Sequence, residues 1–524
     1  MKTLIHNAAL LSFQEGLRKG GNALLIENNL IRAIGSYDEL QPLVDGNTLQ
    51  IDVDGRTIMP GLNDTHIHIW KVGNLKTYML DLRGASSLEE MLDTIRDYDR
   101  KYPDLEWIVA RGFNEAGWTN NRLPEKKDLD KIVPGKPVYV IRTCAHIAVA
   151  NTAALQFAGV NAATKIPDGG VMHLGDDGEP NGILSETALG LVANHIPPYT
   201  KQQLKHMVLA ARNEMYRYGI TAATDPAVDP LLLEAYKEMN EAGELGFRLN
   251  AIPILLPDGG EEPYPLPELF ESSFLRLNTV KFFSDGGLSG KTAALKRTYK
   301  NSTERGVLRL VAGQYRQLCK LALEKGLGIA THAIGDAAIE FVVDIYKEMH
   351  ALFPNSIRRI EHLGLPEQKH LQEMAGNGIS ASMQTIFLSE LGKNFIRYLD
   401  EDYLSRCYPV KSVLDHGILA ALSSDAPVVN NFNPFKGVYA AVSRKDDQGN
   451  LIAGGEAISI REALQLYTGN AAKISGVKEF GKLEEGMLAD FIELEKDPLS
   501  TPIDEIPELK VVNTWVDGKI AWSA

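Results

Sequence analysis

In ALLIENNLIRAIG two apolar runs flank a Glu-Asn-Asn turn, and TLQIDVDGRTIMPG follows with alternating apolar positions and an Asp-Gly pair. Alternation broken by such turn residues predicts β-hairpins. The C-terminal end repeats the grammar: ADFIELEKD is followed by VVNTWVDGKIAW, a strand pair joined at Asp517-Gly518. The pattern predicts one small β domain built from both chain ends, residues 1–58 with 475–524, and everything else inserted between them.

The middle of the chain alternates short β-type runs with longer helical stretches, which argues for parallel strands covered by helices. The candidate strands are IMPGL, ITAATD, FRLNAIP, TVKFFSD, GIATHA, RIEHLG, GISASM and LAALSSD. Eight such units suit a closed (β/α)8 barrel better than an open sheet, here over residues 59–70 with 200–474. The gap between the first strand, near Leu62, and the second, near Ile220, is far longer than an ordinary βα connection. Residues 71–199 therefore read as an inserted subdomain, with WIVARG and PVYVIR among its strands. A loop leaving the C-terminal end of a barrel strand lies at the barrel mouth, so a lid or substrate pocket is expected there.

Composition narrows the function classes. The chain has 524 residues, 44% of them hydrophobic and 23% charged, which is enough to bury a large core and argues against disorder. A net charge of -14, from 68 acidic and 54 basic residues, disfavours nucleic acid and anionic membrane as partners, because both need clustered cations. Cys144, Cys319 and Cys407 are widely spaced and form no CxxC pair, which indicates neither a disulfide framework nor a thiolate metal cage. The opening MKTLIHNAALLSFQEG has no sustained apolar stretch, and no later run approaches a membrane span. A cytoplasmic location is expected.

The candidate chemistry sits at strand ends. His66 and His68 in PGLNDTHIHIW are two residues apart at the end of a predicted strand, where period-two geometry turns both to one side. His332 in GIATHAIGD, His362 in RIEHLG and Asp425 in LAALSSDAP each close a different strand. Taken singly, His332 reads as a buried hydrogen-bonded histidine, His362 as a partner of Glu361, and Asp425 as a turn cap. As a set converging on one barrel mouth they read as metal ligands, suited to zinc, manganese, iron or nickel. Lys281 lies between Val280 and Phe282 in TVKFFSDGG. It is either a snorkelling or ion-paired lysine or, desolvated, a neutral amine able to take up carbon dioxide as a carbamate.

PGxxDxHxH, a strand-four lysine, histidines on strands five and six and a strand-eight aspartate, in that order, resemble the amidohydrolase superfamily. The stretches ARGFNEAGW, RTCAHIAVANTAAL, VKFFSDGGLSGKTAAL, THAIGDAAI, RIEHLG and GMLADFIELEKDPL resemble its amidohydrolase-3 branch, the group of YtcJ-like proteins and N-substituted formamide deformylases. The resemblance implies a distorted TIM barrel carrying a β-sandwich made by both termini. It further implies that His66, His68, Lys281, His332, His362 and Asp425 hold one or two divalent ions, with zinc foremost and carboxylated Lys281 bridging. The sequence departs from the branch at Thr143-Cys144-Ala145 before His146, where relatives often carry an aspartate and a glycine.

The expected chemistry is hydrolysis of a non-peptide amide, an N-acyl or N-formyl amine, with Asp425 as proton acceptor and donor. Deamination or opening of a cyclic amide is an alternative. A different class of reading makes Lys281 a Schiff-base amine in a lyase or isomerase. His146 and Trp118, in the insertion, are candidates for the substrate pocket, and Asp285 and Asp336 for orienting ligands. The opposing reading of Trp118 is packing of the insertion's own core, and of Asp336 a helix cap. The expected partner is a small-molecule amide, and a homodimer is the default assembly.

Overall fold

The computed structural model describes residues 2–13, 21–115, 118–119, 122–143, 147–167, 170–257 and 262–524. The chain divides into two compact units, Met1–Ile69 with Arg212–Ala524, and Trp70–Ala211.

Both ends of the chain meet in the first unit. Lys2–His6, Ala23–Glu27, Leu30–Gly35 and Leu49–Asp52 form one sheet. Ala9–Leu10, Thr57–Pro60, Phe491–Leu494, Val511–Val516 and Lys519–Ser523 form another. Ile5, Leu24 and Ile26 from the first share a buried cluster with Ile58, Phe491 and Trp515 from the second. The turns are those the sequence announces. Asn28 has φ 59°, and Asp517 and Gly518 have φ 55° and 72°, the left-handed pair that a tight hairpin turn demands.

Within the same unit, Leu62–Asp64, Ile220–Val228 and Arg248–Pro253 run side by side and parallel. Thr279–Phe283, Gly328–Ala333, Arg358–His362, Ser380–Met383 and Ala420–Leu422 form a second parallel set. A parallel bridge between Ile254 and Lys281 joins the two sets. Past the ends of the first and last strands, the Asp425 N–H donates to the His66 carbonyl at 2.7 Å, and the His68 N–H to the Ala426 carbonyl at 2.9 Å. The architecture is a TIM-barrel-like α/β fold, with helices returning the chain between parallel strands. The helix Asp336–Leu352 shows why these segments cover the strands: Ile339, Val342, Val343, Tyr346 and Met349 recur at three- and four-residue spacing and are all buried.

The entry into this array differs from the sequence expectation. The run IMPGL is not one strand: Thr57–Pro60 pairs antiparallel with Phe491–Leu494, and only Leu62–Asp64 joins the parallel set. Gly61 separates the two, where a Cβ would lie 2.1 Å from Thr221 Oγ1, so the chain changes sheets at a point too close to its neighbour for any side chain. Arg248, at the start of the third parallel strand, ties the array to the C-terminal strands. Its guanidinium donates to Asp490 at 2.8 and 3.1 Å and to Asp517 at 2.9 Å.

The second unit carries a six-stranded sheet in the order Val171–Leu174, Pro180–Ser185, Ile147–Ala150, Val138–Arg142, Ile108–Phe113 and Met79–Asp81. WIVARG and PVYVIR supply two of its strands, which pair in parallel. Period-two alternation gives each strand two faces: Ile108, Ala110, Val138 and Val140 enter one buried cluster, Val109 and Tyr139 the other. Among the described residues no helix is long and apolar enough to cross a membrane.

Candidate metal centre

His66 and His68 lie just beyond the end of the strand Leu62–Asp64, in irregular backbone. The turn is held by Asp64, whose Oδ1 accepts from the His66 and Ser424 backbone N–H groups, each at 3.1 Å. Burial pushes the Asp64 carboxyl up to about 6. Asp425 lies on the neighbouring segment, three residues past Ala420–Leu422, with φ 55°. Its Oδ1 lies 3.3 Å from His66 Nε2 and 3.3 Å from His68 Nε2. Two imidazoles of one HxH segment thus face a single carboxylate oxygen.

His332 is the penultimate residue of Gly328–Ala333, and His362 the last of Arg358–His362. Simple alternation would send His362 away from its neighbours, because Glu361 is the residue in register with His332. A left-handed backbone at His362, φ 76°, redirects the side chain, and its ring centroid comes within 4.4 Å of the His332 ring and 4.7 Å of the His66 ring. Left-handed conformations at non-glycine residues are costly and collect at functional sites. Among the described residues, His66, His362 and Asp425 offer ligand atoms that all lie within 4.8 Å of one another.

The electrostatics of this group are strongly perturbed. His362, pushed down by burial and then by the charges of His332 and His66, sits well below the usual imidazole range. His66 is lowered by burial and by Lys281, yet the Asp425 and Glu361 carboxylates hold it above its ordinary value. Burial works against ionised Asp425, but His66 and His68 keep its carboxyl well below the usual carboxylate range. Lys281 is fully buried on Thr279–Phe283, with Nζ 4.8 Å from the centre of the Phe283 ring. It is near enough to lower the pKa values of His66, His362 and Glu361.

Around these residues stand partners that orient the imidazoles of His66, His362 and His332. Glu361 takes His66 Nδ1 at 2.5 Å. Gln384 Oε1 takes His362 Nδ1 at 2.7 Å and is itself anchored by Nε2 donating to Ser423 Oγ at 2.8 Å. Asp285 Oδ1 lies 3.3 Å from His332 Nε2, and its carboxylate accepts from the backbone N–H groups of Ala294, Ile334 and Gly335. Asp336 instead accepts from Lys296 N, Tyr403 Oη and Arg406, tying a loop to the start of its helix. Glu361 and Gln384 are the members that sequence reasoning missed; the sequence alone pairs Glu361 with His362. The charge buried in RIEHLG is the signal that could have marked it.

Trp118 belongs to the second unit. It is buried in that unit's core, its indole N–H donates to the Ala85 carbonyl at 3.1 Å, and its ring lies 6.0 Å from Phe113. His146 lies outside the described residues, as does Cys144. Cys319 and Cys407 are buried free thiols.

Comparison with known proteins places the chain in a family. Residues 50–521 match the profile of the Amidohydrolase family. The YtcJ protein of Bacillus subtilis is 29% identical, over 100% of this chain and 99% of its own. The N-substituted formamide deformylase of Arthrobacter pascens is 27% identical, over 95% of this chain and 94% of its own. Among solved structures, an uncharacterized metal-dependent hydrolase from Pyrococcus furiosus is 25% identical with a TM-score of 0.79, covering 95% of this chain and 100% of that one.

Proposed function

Because the chain belongs to the amidohydrolase family, we propose that it is a metal-dependent hydrolase that cleaves a non-peptide carbon–nitrogen bond in a small amide, an N-acyl or N-formyl amine. The observation that carries this reading is the approach of His66 Nε2 and His68 Nε2 to one Asp425 oxygen, at 3.3 Å each. The similarity to an N-substituted formamide deformylase supports the choice of bond.

The donor set fits a divalent cation. The Nδ1 atoms of His66 and His362 are engaged by Glu361 and Gln384, so each ring presents Nε2 as its remaining ligand atom. Imidazole and carboxylate donors suit zinc. His66, His68 and Asp425 would hold one ion, and His332 and His362 a second. The Lys281 amine, condensed with carbon dioxide as a carbamate with release of a proton, would bridge them. When bound, the metal supplies Lewis acidity toward a carbonyl oxygen and a water of lowered pKa.

The chain's own groups supply the rest. Asp425, ionised, accepts the proton of the attacking water and returns it to the nitrogen of the leaving amine, so the products are a carboxylate and an amine. Burial of His66, Lys281, His362 and Asp425 strengthens these interactions, because little water competes for the carboxylate. In this reading the two terminal sheets form a β-sandwich beside a (β/α)8 barrel.

Elemental analysis of purified protein grown with bicarbonate, beside a His66→Ala, His68→Ala double variant, tests the reading. About two ions per chain are expected, and their loss in the variant. A wild-type protein with no metal, and none recovered after adding zinc or manganese, would overturn it.

A further inference from the structure

A carboxylate far from the HxH segment in sequence controls one of its imidazoles. Glu361 is fully buried, and its Oε2 lies 2.5 Å from His66 Nδ1. An ionised carboxylate can only accept, so a hydrogen sits on His66 Nδ1, and Nε2, which faces Asp425 Oδ1 at 3.3 Å, is the nitrogen left to a cation. Arg359, also buried, donates from Nη2 to Glu361 Oε2 at 2.9 Å and, from the same nitrogen, to the carbonyl of Thr65. The guanidinium therefore compensates the buried negative charge and holds the residue preceding His66 at the same time. His362 has the other kind of partner, the neutral Gln384 amide.

We propose that Glu361 is a positioning residue for His66: by accepting the Nδ1 hydrogen it fixes the tautomer that presents Nε2 to the cation, and its charge makes that nitrogen a stronger donor than His362 Nε2. The inference rests on the metal-dependent reading above. Histidine ligands backed by a carboxylate bind metal more tightly, and removing such a partner typically costs about 10- to 100-fold in affinity.

Competition between the metal-depleted protein and a chromophoric chelator for added zinc gives the dissociation constant directly, without substrate. Glu361→Gln keeps the shape and an acceptor oxygen but removes the charge; it should weaken the tightest site by about tenfold or more. Gln384→Ala should leave that site within about threefold and weaken the other one. Equal affinity in wild type and Glu361→Gln would overturn the inference while leaving the hydrolase reading intact; a wild type that takes up no zinc would sink both. Should Glu361→Gln fail to fold, nitrogen-15 spectra of histidine-labelled wild type loaded with zinc decide the matter. His66, identified by its loss in His66→Ala, should show a protonated Nδ1 and an unprotonated Nε2, and the reverse pattern would end the proposal.

Discussion

Asp425 Oδ1 lies 3.3 Å from His68 Nε2, although the two residues come from loops following the first and the last of the parallel strands. The same oxygen meets His66. In the proposed reaction Asp425 is both a ligand and the carboxylate that moves the proton. Asp425→Asn keeps the size and one carbonyl oxygen but cannot accept a proton. Its kcat on an amide substrate should fall by about 10²-fold or more, with a smaller change in KM, and steady-state kinetics beside metal content would show it. Unaltered kcat would remove Asp425 from the proton path.

Lys281 is wholly buried, and Phe283 lies along the same strand beneath its amine. In the proposed site a carbamate there would supply a bridging anion. Lys281→Ala should bind about one ion in place of two and lose most activity, and short carboxylic acids such as formate should restore part of both. Native mass spectrometry of the wild type should show the added mass of one carbon dioxide, lost on acidification. If Lys281→Ala keeps full metal content, the bridge is absent. Trapping of a carbonyl substrate by borohydride on Lys281, with no metal requirement, would favour the Schiff-base chemistry instead.

Arg248 grips Asp490 in a nearly dry setting and reaches the partly exposed Asp517. Truncation leaves buried Asp490 without its countercharge, and such losses cost about 3 kcal/mol or more. Arg248→Ala should lower the urea midpoint accordingly, and Arg248→Lys, which cannot grip Asp490 with two nitrogens, should fall between. A change within experimental error would show that solvent reaches the pair.

His370 offers a pH test away from the metal residues. Burial first, and then the charge of Lys296, holds its pKa below the ordinary imidazole value, despite Glu367 and Glu340 nearby. Lys369 pushes in the same direction as Lys296. The unfolded chain therefore takes up this proton first, so the contribution to stability is present above about pH 6.5 and is lost as the pH falls below it. His370→Gln lacks this term. Its stability deficit relative to wild type should shrink between pH 7.5 and pH 5.5, read from urea unfolding of both proteins. A constant deficit would mean that His370 does not titrate differently in the two states.

Local grammar in this chain settles local structure. Alternation and turn dipeptides place the terminal hairpins, because a left-handed pair such as Asp517-Gly518 has few other uses. The alternation of β and helical runs places the parallel strands, and the HxH, lysine, histidine and aspartate order carries the family. What needed the tertiary structure is every relation between atoms distant along the chain. Glu361 sits next to His362 in sequence, but its carboxylate serves His66, 295 positions away. His362 reaches the cluster only through a left-handed backbone that residue type does not announce. Trp118 reads equally well as a pocket wall or a core residue until its N–H is seen donating to Ala85. Strand propensity acts over neighbouring residues, whereas the partner of a buried polar atom is decided by which strands the fold brings together.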